Sequence, residues 1–221
     1  TADELRRLKA EHPGAIVVCY VNSTAEVKAE SDYCCTSANA VDVVRTIPQD
    51  RPVLFVPDQN LGRYAATQTG RELILWPGYC HVHAAITEED VRGAKARAPR
   101  AVVMVHPECT EPVRLLADQI LSTGGMLRFA RQSRAGTIIV GTETGILHAL
   151  KKENRDIRYV PASERAVCPN MKKISPEKIL WALEDLRGRV TVPAEISAGA
   201  RRSLERMTEV APGDSKGRSH V

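Results

Sequence analysis

A histidine and a glutamate lie two positions apart across a proline in His106-Pro107-Glu108. The pair puts a proton donor and a proton acceptor on a stiff turn. Further on, Ser122-Thr123-Gly124-Gly125 offers a hydroxyl and bare backbone N–H groups at a strand-to-helix turn, which suits a phosphate or carboxylate. The same plan occurs 86 positions earlier: Tyr20 matches His106, Asn22 matches Glu108, Ser37 matches Thr123, and Asp32 matches Asp118. Each motif alone has a plainer reading. His-Pro-Glu is a loop, Ser-Thr-Gly-Gly is a helix cap, and Tyr20 is a packing residue. Their recurrence in register speaks for a site, although duplication also copies caps and turns.

Two thiols stand beside these motifs. Cys80 follows a strand and Pro77, and Cys168 follows a strand and Pro161. They are 88 positions apart, so they form no local ligand pattern such as CxxC. Two copies of a unit of roughly 85 residues, each giving one loop cysteine, suggest a pseudosymmetric site between domains. Ordinary loop thiols are the alternative. A zinc site on Cys80, His81 and His83, with or without Cys168, is another, and the chain would then be a zinc- or phosphate-binding α/β module without catalysis. Of the remaining thiols, Cys19, Cys34 and Cys35 fall in expected strands as small hydrophobes, and Cys109 ends the His-Pro-Glu turn.

The elements that must carry these residues follow from composition and periodicity. Of 221 residues 43% are hydrophobic but only 4% aromatic, so the core is Val, Ile, Leu and Ala, as in parallel strands buried under helices. Strands are expected over 16–21, 32–36, 53–56 and 73–76, then over 102–105, 119–121, 137–140 and 157–160. Helices are expected over 3–11, 24–31, 38–47, 61–68, 87–96, 112–117, 126–132 and 144–152, with a loop at 77–83. This alternation argues for an α/β fold of parallel layers. Beyond Lys173 two amphipathic helices are expected, from Ser175 to about 186 and from Val192 to about 210. The second carries Ile196, Ala200, Leu204 and Met207 on one face. A polar tail at 213–221 is expected to be disordered.

The formal charge of +4, from 31 basic and 27 acidic residues, is mixed along the chain. No basic block interleaved with aromatics supports nucleic-acid binding. No apolar run reaches a membrane span, and no secretory signal precedes the first helix, so a cytoplasmic place is expected, with free thiols. The first residue is Thr1, which suggests an N-terminus that lies elsewhere.

Taken in order, these segments carry a resemblance: Tyr20-Val21-Asn22; Cys35-Thr36-Ser37-Ala38-Asn39-Ala40; Pro57-Asp58-Gln59-Asn60-Leu61-Gly62; Gly78-Tyr79-Cys80-His81-Val82-His83; His106-Pro107-Glu108-Cys109; Ser122-Thr123-Gly124-Gly125-Met126; and Val167-Cys168-Pro169-Asn170-Met171-Lys172. The chain resembles the quinolinate synthase family nearly throughout, up to about Met207. The resemblance implies an enzyme of NAD biosynthesis, a transferase or lyase-type condensation. It joins iminosuccinate (iminoaspartate) to dihydroxyacetone phosphate, giving quinolinate, phosphate and two waters. Aspartate oxidase or aspartate dehydrogenase would supply the imine.

The implied fold is three similar three-layer αβα domains around a pseudo-threefold axis. A 4Fe–4S cluster sits on that axis, held by three cysteines with one iron open as a Lewis acid. Cys80 and Cys168 match two of the ligands. Tyr20, Val21, Asn22, Ser37, His106, Pro107, Glu108 and Thr123 match substrate-binding positions, with Glu108 as base and His106 and Tyr20 as further catalytic groups. The family's Gly-Cys-Ser motif, with the first cysteine ligand, is absent here. By this resemblance 1–14 is a remnant helix or linker, 15–86 and 87–173 are the second and third domains, and 174–212 are helices that pack on the first domain. A chain without that first domain is expected to expose those helices, to hold a cluster poorly and to be inactive alone.

Overall fold

The computed structural model describes residues 1–210; the expected tail at 213–221 lies outside them. The first half runs α1 (Ala2–Glu11), β1 (Ile16–Tyr20), α2 (Ala25–Ala29), β2 (Tyr33–Cys35), α3 (Ala40–Thr46), β3 (Val53–Val56), α4 (Gln59–Thr69) and β4 (Ile74–Leu75). A short α5 (His81–Ala84) and α6 (Glu88–Arg97) lead into the second half. There follow β5 (Val102–Val105), α7 (Glu111–Leu115), β6 (Gln119–Ile120), α8 (Thr123–Gln132), β7 (Thr137–Gly141), α9 (Ile146–Glu153) and β8 (Arg158–Pro161). A 3-10 turn (Met171–Lys173), α10 (Pro176–Glu184) and α11 (Ala194–Glu209) complete the described chain.

The strands form two four-stranded sheets, ordered β2-β1-β3-β4 and β6-β5-β7-β8, with every pairing parallel. Alternate residues of each strand face opposite sides, so both faces need cover. In the first sheet Val18, Tyr20 and Phe55 meet α3 and α4, while Val17, Cys19, Leu54 and Val56 meet Leu5 of α1 and Leu204 of α11. In the second, Val103, Val105 and Ile139 pack with Val91 and Val113, while Met104, Ile138 and Val140 pack with Met126 and Leu150. The expected repeat of helix–sheet–helix layers is present.

The 86-residue shift holds at the level of single bonds. Asp32 Oδ2 accepts the Val17 N–H at 2.8 Å, and Asp118 Oδ2 accepts the Val103 N–H at 2.7 Å. The register repeats as well: Val18 pairs with Tyr33 and Met104 with Gln119.

Two local expectations change. Residues 81–83 of the expected 77–83 loop are wound into α5, and Thr123-Gly124-Gly125 lie inside the first turn of α8 rather than ahead of it. Ser122 is the cap, accepting the Gly125 N–H at 3.2 Å.

The two C-terminal helices differ. α11 lies on α2 and β2, with Ala200 and Ser203 buried. A Cβ at Gly199 would fall 2.8 Å from Ala29 Cβ, so only glycine permits that approach. The Ser203 hydroxyl donates to Lys28 O at 2.8 Å. The apolar face of α11 is thus spent on the first sheet. Only α10 is left open, with Ile179, Leu180, Trp181 and Leu183 all exposed.

Candidate functional site

The C-terminal ends of both sheets meet, as the crevice rule for parallel α/β sheets requires. The connection between the halves crosses here: Val82 and Ile86, just past Cys80, bury themselves in the core under the second sheet. Tyr20, from the end of β1, donates its hydroxyl proton to Glu108 Oε2 at 3.3 Å. Ser37 lies 3.1 Å from His106 Nε2. Each half therefore contributes one partner to each of two bonds across the seam.

Glu108 Oε2 is the centre of the cluster. Besides Tyr20 it lies 3.2 Å from His106 Nδ1 and 3.4 Å from His83 Nδ1. The two imidazoles stack, with centroids 4.5 Å apart and planes at 12°. His106 Nδ1 accepts the Glu108 backbone N–H at 3.3 Å, so its Nε2 carries the hydrogen toward Ser37. His83 Nε2 is 2.8 Å from Thr142 Oγ1, which leaves Nδ1 buried, without hydrogen-bond geometry to any described partner, and aimed at the carboxyl.

Burial sets the proton balance. It pulls the pKa values of His83 and His106 down to about 4, with His106 adding to the effect on His83. Both rings are neutral near pH 7. It pushes Glu108 above the ordinary carboxylate range. It also raises Asp58, to about 6, against the N–H groups that bind it and with Glu108 adding to the rise. Burial, then Glu108, pushes the Tyr20 phenol up. One carboxyl oxygen surrounded by a phenol and two neutral imidazoles has the donors and acceptors that acid–base chemistry needs.

These histidines have a consequence for stability. In the unfolded chain an imidazole titrates near 6.5; in the fold it titrates near 4. Unfolding therefore takes up protons in that window. The stability His106 contributes is full above pH 6.5 and is lost as pH falls toward 4, by about 3 kcal/mol. The raised Asp58 works in the opposite sense. The His106→Gln variant is expected to show a shallower fall of thermal midpoint between pH 6.5 and 4 than the parent. Parallel slopes would show that His106 is not buried in neutral form.

Arg114 holds the turn. Its Nη1 donates to the backbone oxygens of Asn60, Pro107 and Cys109, which ties the His-Pro-Glu turn to α4 of the other half. Of the expected site residues, Tyr20, Ser37, His106 and Glu108 converge. Val21 and Pro107 are in place as framework: Val21 N–H donates to Cys35 O at 2.9 Å, and Pro107 is buried. Asn22 and Thr123 are exposed, and no hydrogen bond joins either to this cluster among the described residues.

Of the six cysteines, Cys19, Cys34, Cys35 and Cys109 are buried, while Cys80 and Cys168 are partly exposed. Both of the latter pack against the same core cluster. Asp58 Oδ2 accepts the Cys80 N–H at 2.8 Å, and Glu143 Oε1 accepts the Cys168 N–H at 3.3 Å. Ligand atoms of Cys80, His83 and Glu108 lie within 4.8 Å of one another and could hold a metal ion. His81 is exposed, whereas His83 is buried, because positions two apart on a helix do not share a face. A zinc reading therefore exchanges His81 for Glu108.

Sequence reasoning left Asp58, Arg114, Thr142 and Glu143 without a role. One signal could have found two of them: Asp58 and Glu143 stand 85 positions apart, just past β3 and β7.

A family model described as "Quinolinate synthetase A protein" matches residues 1–209. "Quinolinate synthase" of Dehalococcoides mccartyi (strain CBDB1) is 52% identical over 207 residues, 94% of this chain and 68% of that protein. The protein of the same name from Methanoregula boonei is 53% identical with the same coverage. "Quinolinate synthase 2" of Methanosarcina acetivorans is 46% identical over 211 residues, 96% of this chain and 68% of its own length.

Proposed function

Because the chain belongs to the quinolinate synthetase A protein family, we propose that its seam is the greater part of a site that condenses iminosuccinate with dihydroxyacetone phosphate to quinolinate. The observation that carries the reading is the convergence on Glu108 Oε2 of Tyr20, His83 and His106, with Cys80 in the same cluster. Ring formation with loss of phosphate and two waters involves no net oxidation or reduction. It requires repeated removal of carbon-bound protons and protonation of leaving oxygens. Glu108 is the base, exchanging its proton at Oε2. Neutral His106 relays at Nδ1, and Tyr20 holds the carboxyl in place from the other sheet. Val21, Asn22, Ser37 and Pro107 line the dicarboxylate end. Thr123, in the first turn of α8, faces the phosphate end with the helix N–H groups.

Cys80 and Cys168 are the thiolates proposed to hold a 4Fe–4S cluster. The donor set fits the group: the two partly exposed thiols belong to matching loops over one core, while the other four are sealed in. When bound, a cluster with one open iron supplies a Lewis acid for a substrate oxygen. A third thiolate is not available among the four buried cysteines. On its own the chain is therefore proposed to load the cluster poorly and to form little quinolinate. The imine would come from an enzyme that oxidises aspartate, and a cytoplasmic place agrees with free thiols. Among the described residues no helix is long and apolar enough to cross a membrane.

Anaerobic reconstitution tests the reading. Iron and acid-labile sulfide are expected together, below one cluster per chain, and Cys80→Ser or Cys168→Ser should abolish both. Zinc without sulfide, lost in His83→Ala, would favour the Cys80–His83–Glu108 metal site instead. Full loading by the parent chain would refute the need for a third thiolate from elsewhere.

A further inference from the structure

The two cysteine loops are held by the same three bonds. Two positions before each cysteine, a carbonyl accepts an N–H from the residue that follows a carboxylate: Gln59 N–H to Gly78 O at 2.8 Å, and Thr144 N–H to Ala166 O at 2.9 Å. Each cysteine N–H donates to that carboxylate, Cys80 to Asp58 and Cys168 to Glu143. Each cysteine carbonyl accepts from the residue four positions on, Ala84 N–H at 2.9 Å and Lys172 N–H at 3.2 Å. The second oxygen of each carboxylate is also used: Asp58 Oδ1 takes the Leu61 N–H at 2.8 Å, and Glu143 Oε2 takes the Gly145 N–H at 2.7 Å.

Such a clamp fixes the peptide planes on both sides of the cysteine. With N–H and C=O both fixed, φ and ψ have little freedom, and the Cα–Cβ bond is aimed. Asp58 and Glu143 are both buried, at 3% and 8% exposure, which shields these charge-assisted bonds from water. The carboxylates differ in one respect: Lys172 Nζ lies 3.1 Å from Glu143 Oε1, whereas the second charge facing Asp58 is that of Glu108.

We propose that Asp58 and Glu143 are a matched pair of positioning residues, one for each cysteine loop, which aim the thiols of Cys80 and Cys168 toward a common point. That the aimed thiols serve as iron ligands rests on the reading given above. The aiming itself does not.

Site-resolved alkylation of the metal-free reduced chain tests the pairing. Asp58→Asn is the variant of choice, since asparagine still caps α4 through its oxygen and turns an NH₂ group toward the Cys80 N–H. Iodoacetamide labelling followed by mass spectrometry is expected to show Cys80 reacting about tenfold faster in Asp58→Asn, with Cys168 unchanged. Glu143→Gln should do the reverse. Cys19, Cys34, Cys35 and Cys109 report on global unfolding and should stay protected in both variants. Equal acceleration at both loops, labelling of the buried thiols, or no change would overturn the pairing. Iron and sulfide analysis of the reconstituted parent separates the two ideas. The expected labelling pattern in a chain that takes up no iron and sulfide would leave the positioning pair standing and remove the cluster.

Discussion

In protein whose cluster is completed by a third thiolate from elsewhere, Glu108→Gln is expected to lower quinolinate formation by roughly 10²–10⁴-fold, the usual effect of losing a general base. The same change should make the metal-free chain more resistant to heat at pH 7. Both outcomes follow from one fact. Burial raises the pKa of Glu108, so at pH values above the ordinary carboxylate range the fold disfavours the ionised carboxylate more than the unfolded chain does. A group raised in this way stabilises the fold less as pH climbs through its folded pKa, and glutamine removes that dependence. Gain of stability with loss of activity marks a residue kept for chemistry. Tyr20→Phe is the milder companion, because it removes one donor to Oε2 and leaves the carboxyl in place. Activity of Glu108→Gln within tenfold of the parent, or a lower thermal midpoint at pH 7, would dismiss Glu108 as the base.

The second large effect is on the fold. Arg114→Met is expected to cost about 2–6 kcal/mol. Methionine fills much of the arginine stem volume but leaves the carbonyls of Pro107 and Cys109 without their donor, while Asn60 keeps its helix N–H. Each buried carbonyl left unpaired costs on the order of 1–3 kcal/mol. Against a total stability of about 5–15 kcal/mol, that is enough to threaten the native state near body temperature. Urea unfolding followed by circular dichroism measures it. A loss below about 1 kcal/mol would mean that water or a neighbouring donor replaces the guanidinium.

The repeat was legible in the sequence because strand ends are written locally. A buried run that stops at polar residues gives its own boundary, and a second copy in register confirms it, as Asp32 and Asp118 do for β1 and β5. Tyr20, Ser37, His106 and Glu108 sit at such ends and were found together. Asp58 and Arg114 were not, because the partners that tie them across the site are backbone groups far along the chain, the Cys80 N–H 22 positions from Asp58 and the Asn60 carbonyl 54 from Arg114, and a sequence carries no mark for a backbone group in need of a partner. His83 was legible as a residue type but not as a direction. Its separation from His81 became visible only once α5 was seen to be wound. The fate of α11 was hidden for the opposite reason: its apolar face was plain, but the surface it covers was not.

The bonds across the seam also govern what a partly synthesised chain can do. When the first sheet is complete on the ribosome, His106 and Glu108 have not yet been made, and the Tyr20 and Ser37 hydroxyls lack their partners across the seam. The proposed proton relay waits until the second sheet has closed against the first. The cluster around Glu108 is therefore assembled only when both sheets are in place, because each half holds one partner of each bond.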